Sequence, residues 1–128
     1  VFYPATINRI IDGDTVIARL DLGLGINITQ TLRLVGIDAP ELHTDEGKAA
    51  RAWLCDRILY RAVLLDISSK NSHDKYGRLL AVILVDELNL NQEMIRLGYA
   101  VAYNGGQRAV TPEAAQTATR PLPAPEFA

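Results

Sequence analysis

Five charged side chains sit where a small fold could gather them. Asp14 follows an Asp-Gly pair, and Arg33 lies in an alternating apolar stretch. Asp38 and Glu41 come just after that stretch, among Gly36 and Pro40, and Arg78 follows a Tyr-Gly pair. Carboxylate oxygens are hard ligands that suit calcium or magnesium rather than zinc or copper. Guanidinium forks match phosphoryl oxygens two at a time. A carboxylate beside a bound cation can activate water, while arginines stabilise developing negative charge. Together these are the parts for phosphodiester hydrolysis. Each part also has a plainer reading: an Asp-Gly hairpin, a buried ion pair before an Asp/Pro turn, a solvated turn at Asp74–Arg78. Four such segments in this order are harder to dismiss than any one.

For these groups to meet, strand ends far apart in sequence must converge at one rim. Ala5–Ile11 is rich in β-branched residues and reads as a strand, and Asp12-Gly13 signals a hairpin after it. Thr15–Leu22 alternates, with Val16, Ala18 and Leu20 on one face; Gly23-Leu24-Gly25 reverses the chain, and Ile28–Val35 makes a third strand. Thr44 or Asp45 can cap a helix running to about Leu59, with Ala50, Trp53, Leu54 and Ile58 in one apolar stripe. Ala62–Ile67 and Arg78–Val85 return to strand character. Asn89 to Gln92 resembles a capping box, opening a helix Leu90–Leu97 that Gly98 ends, and Tyr99–Tyr103 reads as extended. Three meander strands, a helix and two more strands is the order of a five-stranded OB-fold barrel, mainly β with some α and two to three helices.

At 128 residues, 48% apolar and 22% charged, the chain is most simply one globular domain. The domain is expected over residues 1–104. Residues 105–128 form an extension, with at most a short helix near Thr111-Pro112-Glu113 before a Pro-rich tail from Arg120 to Ala128. No apolar run approaches a membrane span. The chain opens with Val, so the lack of a basic, apolar leader does not fix a compartment. A single cysteine, Cys55, excludes an intrachain disulfide and a thiolate-rich zinc site; it reads as a small, partly buried hydrophobe on the helix. His43 and His73 lie among polar loop residues and read as solvated. Net charge is −2 and the pI near 5.6, so any phosphate recognition is local rather than spread over a basic face. Three carboxylates holding one divalent cation would leave a nearly neutral bound state.

Ile11–Val16, Leu32–Glu41, Asp74–Arg78 and Asn91–Ala100 resemble the motifs of the staphylococcal nuclease (thermonuclease) family, over roughly Ala5–Tyr103. The resemblance implies an OB-fold endonuclease that uses one calcium ion to hydrolyse DNA or RNA, leaving 3′-phosphate ends. By matching motif, Asp14 and Asp38 would be side-chain calcium ligands, with the main-chain carbonyl of Ala39 a third. Glu41 would be the general base for the attacking water, and Arg33 and Arg78 would bind the scissile phosphate. Lys75, Tyr76 and Tyr103 match positions that contact nucleotide phosphate or base. Relative to the staphylococcal enzyme, the Leu42–Gly47 segment is shorter, the final lysine-rich helix has no counterpart, and the charge is acidic. These departures bear on affinity and substrate preference. The family also points to secretion or the cell envelope; a monomer is the default state.

Two other classes compete. A non-catalytic OB-fold module binding nucleic acid or a protein partner has no need for Arg33, Glu41 and Arg78 together. An oligosaccharide-binding barrel would want aromatics spaced along one face, and aromatics are only 6% here.

Overall fold

In a computed structural model, residues 1–104 and 107–108 are described. The strands are β1 (Phe2–Asp12), β2 (Thr15–Asp21), β3 (Asn27–Leu34), β4 (Ile37–Asp38), β5 (Ala62–Ile67), β6 (Leu79–Val85), β7 (Leu88–Asn89), β8 (Val101–Asn104) and β9 (Gln107–Arg108). Two helices, α1 (Asp45–Ile58) and α2 (Leu90–Arg96), complete the described elements.

Alternating apolar residues drive the strands together. β1, β2 and β3 form an antiparallel meander, β5 pairs with the other edge of β1, and β6 pairs with β5. The ring then closes through a parallel pairing of β3 with β6, Leu32 opposite Leu79 and Leu34 opposite Ala81. The result is the expected closed five-strand OB barrel. β1 serves two neighbours by bending at two register shifts, between Ile7 and Arg9 and between Ile10 and Asp12, as bulged strands do. Ile7, Ile10, Leu20, Leu32, Leu34, Leu65 and Ile83 point inward and are fully buried.

The first helix begins where its cap chemistry dictates: the Thr44 hydroxyl accepts from the Gly47 N–H, and Asp45 and Glu46 occupy the first turn. Gly47, Ala50, Leu54 and Ile58 are its buried face; Trp53 is only half-buried and stacks on Tyr99 at 5.2 Å. Cys55 is half-buried on the same helix. Asn89 caps α2 by accepting from the Gln92 N–H, but the reciprocal half of the expected capping box is missing, since buried Gln92 Oε1 has no partner.

Four elements differ from the sequence reading, one of them β7, where Leu88–Asn89 pairs with Val85 and Leu84 just before α2. β1 starts at Phe2 because Phe2, Tyr3 and Pro4 pair with β5. Gly36, at φ +83°, turns the chain after β3 so that Ile37–Asp38 forms a short strand paired with Val101 and Ala102. Gln107–Arg108, expected in the extension, folds back on β8. The expected helix near Thr111 and the tail Arg120–Ala128 lie outside the described residues. Among the described residues no helix is long and apolar enough to cross a membrane.

Candidate active site

One end of the barrel collects the charged residues. Arg33 sits opposite Thr15 in the β2–β3 ladder, which brings it beside Asp14. Its Nη2 lies 3.6 Å from Asp14 Oδ2 and 3.7 Å from Asp38 Oδ1, while Nη1 donates to the Leu34 carbonyl at 2.7 Å. Asp14 is 9% exposed, and its Oδ2 accepts from the Ala39 N–H at 2.9 Å. That bond ties the β1–β2 turn to the Asp38–Ala39 segment. Gly13 permits the approach: a Cβ there would stand 2.6 Å from the Ala39 Cβ and 3.0 Å from the Ala50 Cβ. The Asp-Gly pair thus marks close packing, and φ at Gly13 is not in the left-handed region.

Asp12, read from sequence as part of the Asp-Gly hairpin, completes this corner. Its Oδ1 accepts from the Asp14 N–H at 3.1 Å. Burial, followed by the neighbouring Asp14 carboxylate, pushes its carboxyl above the ordinary value.

Arg78 arrives on a loop built around Asp74. Asp74 Oδ1 accepts from the N–H groups of Tyr76 and Arg78, and Oδ2 accepts from Arg78 Nε at 2.7 Å. Burial acts to raise the Asp74 carboxyl, but the Arg78 and Tyr76 donors outweigh it and hold the group below the ordinary 3.8. Tyr76 is exposed, with Lys75 Nζ and the Arg78 guanidinium 5.2 and 5.4 Å from its ring centre. Across the gap the Arg33 guanidinium lies 5.7 Å from the Tyr103 ring centre. A pocket of about 780 Å³ joins these parts, lined by Arg33, Asp38, Lys75, Tyr76, Arg78 and Tyr103 among others.

Of the residues singled out from sequence, Asp14, Asp38, Ala39 and Arg33 come together, and Arg78, Lys75, Tyr76 and Tyr103 share their pocket with Arg33 and Asp38. Glu41 does not line it. Its carboxylate is 77% exposed and stands 3.5 Å from His43 Nδ1, so the three carboxylates are not gathered. The cause is local: the Glu41 carbonyl accepts from both the N–H and the hydroxyl of Thr44, which straps this segment to the start of α1. His43 and His73 are exposed, as expected.

The donor set fits a hard divalent cation. The Asp14 and Asp38 carboxylates are oxygen ligands of the kind calcium takes. Among the described residues no group of three or more His, Cys, Asp or Glu side chains is placed to hold a metal ion, so a cation here would need water and phosphate oxygens as its other ligands.

Known proteins resemble this chain over most of its length. The family described as "Staphylococcal nuclease homologue" matches residues 31–120. The chain is 38% identical over 114 residues to Protein ParB of Escherichia coli, covering 82% of this chain and 60% of that protein. It is 34% identical over 95 residues to an uncharacterized endonuclease of Haemophilus influenzae, covering 74% of this chain and 49% of that protein. The thermonuclease of Staphylococcus hyicus is 31% identical over 100 residues, covering 73% of this chain and 56% of that protein. The chain thus spans about half to three-fifths of these curated relatives.

Proposed function

The chain belongs to the staphylococcal nuclease homologue family, and we propose that it is a calcium-dependent nuclease that hydrolyses DNA or RNA to 3′-phosphate ends. One observation carries the reading: Arg33 and Arg78, from segments 45 residues apart in number, line one pocket together with Asp38, while Asp14 stands beside Arg33. Asp14, Asp38 and the Ala39 carbonyl would hold the calcium, whose contribution is to polarise the phosphate and lower the pKa of bound water.

The protein's own groups would do the rest. Arg33 binds the phosphate carrying the scissile bond and shares its charge. Arg78 exchanges part of its hold on Asp74 for the same phosphate and the departing oxygen. Glu41 accepts the proton of the attacking water; the Thr44 strap holds only its main chain and its contact with His43 is an exposed pair of small worth, so the side chain can swing inward. Water adds to phosphorus, the bond to O5′ breaks, and the leaving oxygen takes a proton, giving a 3′-phosphate and a 5′-hydroxyl. Lys75, Tyr76 and Tyr103 hold the neighbouring nucleotide.

The outward Glu41 favours a second reading, a module that binds nucleic acid without cutting it. Hydrolysis of single-stranded DNA and RNA with calcium, with magnesium and with chelator separates the two. A Glu41→Gln sample excludes a contaminating nuclease; it should fold normally and lose at least a hundredfold in turnover, roughly the worth of a general base. Cleavage equal in both proteins removes Glu41 from the mechanism. Binding with no cleavage under any metal establishes the module.

A further inference from the structure

A second cleft of about 510 Å³ adjoins the first, lined by Val35, Asp66, Ser68, Asn71, Leu80 and Val82. Val35 and Leu80 line both, so the two are neighbours. The register explains the path. Side chains alternate along β6, so Leu80 and Val82 share its outer face, half-buried, between inward Ala81 and Ile83. Leu80 lies opposite Arg33 in the closing pairing, and Val82 lies opposite Asp66 in the next ladder. Two residues of strand advance roughly 6.5 Å, so the track leads outward from the guanidiniums.

The lining changes character along it. The first pocket carries Arg33, Lys75 and Arg78; the second carries no cation among its lining residues and has one carboxylate, Asp66. This cleft lacks the guanidiniums that would hold a phosphate, whereas a flat apolar group with polar edges fits. Val35, Leu80 and Val82 offer an apolar floor, and Ser68, Asn71 and Asp66 offer polar atoms beside it. A carboxylate such as Asp66 only accepts hydrogen bonds, and its Oδ1 is ion-paired at 3.4 Å with the α-ammonium of Val1.

We propose that this adjoining cleft receives the unpaired base of a nucleotide flanking the scissile phosphate, with Asp66 favouring bases that carry an exocyclic amino group. The inference rests on the nuclease reading above and adds a subsite to it. An amino group satisfies Asp66, as carboxylates accept from cytosine N4 elsewhere, while thymine presents a carbonyl at that edge.

The test uses single-stranded oligonucleotides with one hydrolysable linkage, flanked on each side in turn by cytosine, thymine or an abasic sugar. On one side, replacing cytosine by the abasic sugar should lower kcat/KM roughly tenfold, with thymine between them. Asp66→Asn, checked for an unchanged urea midpoint, should erase the preference for cytosine over thymine because its amide both donates and accepts. Equal kcat/KM for all three flanks on both sides would overturn the subsite and leave the nuclease standing. If nothing is cut, the nuclease reading fails. The subsite is then judged by affinity for the uncut strands: a base-dependent difference that Asp66→Asn abolishes supports it, and equal affinities overturn it.

Discussion

Replacing Gly47 by alanine should destabilise this protein, although the same change in most helices does the opposite. Gly47 is the third residue of α1, and alanine in a helix interior is favoured over glycine by about 1 kcal/mol. Here the space is taken. A Cβ at residue 47 would overlap the Glu41 carbonyl oxygen and stand 2.6 Å from the Glu41 carbonyl carbon and 2.9 Å from the Pro40 oxygen. All three are backbone atoms, so no rotamer change relieves the clash; the Pro40–Glu41 segment must move. Moving it strains the two bonds from Thr44 to the Glu41 carbonyl, at 3.0 and 2.7 Å. Overpacking costs about 1–3 kcal/mol and a damaged cap about 1 kcal/mol more. Against the propensity gain, the net expectation is a loss of about 2 kcal/mol. Urea unfolding at neutral pH measures it as a lowered midpoint with an unchanged slope. Turnover should fall as well, because Glu41 moves with its own carbonyl. A Gly47→Ala protein about 1 kcal/mol more stable than the parent would refute the steric reasoning. Lower stability with unchanged turnover would break the link to Glu41.

Three further outcomes can be measured. Arg78→Lys should cut turnover by at least tenfold with little change in the urea midpoint, since an ammonium cannot reproduce the fork that Asp74 and a phosphate share; near-normal kinetics would make Arg78 a loop-building residue only. Asn91→Leu should cost about 3 kcal/mol or more in urea unfolding. Its buried amide donates to the Val35 and Ala81 carbonyls and accepts from the Ile83 N–H; all three would lose this bond, though the Ala81 carbonyl keeps the Val35 N–H, and a loss under 1 kcal/mol would contradict this. Asp74, held below 3.8 in the folded chain, contributes stability that is fully present above that value and fades as pH falls through the depressed one. The stability gap between parent and Asp74→Asn should therefore narrow below about pH 4 in urea titrations, and a gap independent of pH would count against the role.

Local chemistry made much of this molecule legible. Thr44 with Asp45 and Glu46 announces α1, Asn89 and Gly98 bracket α2, and Ala62–Ile67 falls on its strand because its alternation matches its burial. What failed to show is long-range. Ile37–Asp38 is too short to carry a period and becomes a strand only because Val101 and Ala102 lie beside it. The sequence reading starts the first strand at Ala5, yet β1 extends back through Pro4 to Phe2 against β5. The site divides along the same line. Residue types identified Asp14, Arg33, Asp38 and Arg78 as candidates, but the outward turn of Glu41 follows from the Thr44 strap and the missing Cβ of Gly47, a contact no spacing reveals. Asp74 reads as a turn residue and is one, yet it also fixes the guanidinium beside it.

The barrel core and the charged corner share one geometry. Arg33 lies between Leu32 and Leu34, both fully buried, and is opposite Leu80, whose neighbours Leu79 and Ala81 also face the core. A slip of one residue in the β3–β6 pairing would expose those apolar side chains and turn Arg33 inward, so the hydrophobic cost of the slip holds the arginine outward. The β2–β3 ladder does the same for Asp14, carrying it in beside Arg33 with buried Val16 opposite Leu32. Asn91 then ties the seam, joining Val35 on one side to Ala81 and Ile83 on the other. An acidic chain can therefore hold cations at one rim without a basic surface, because burial of leucines, not long-range charge, decides where the guanidiniums stand.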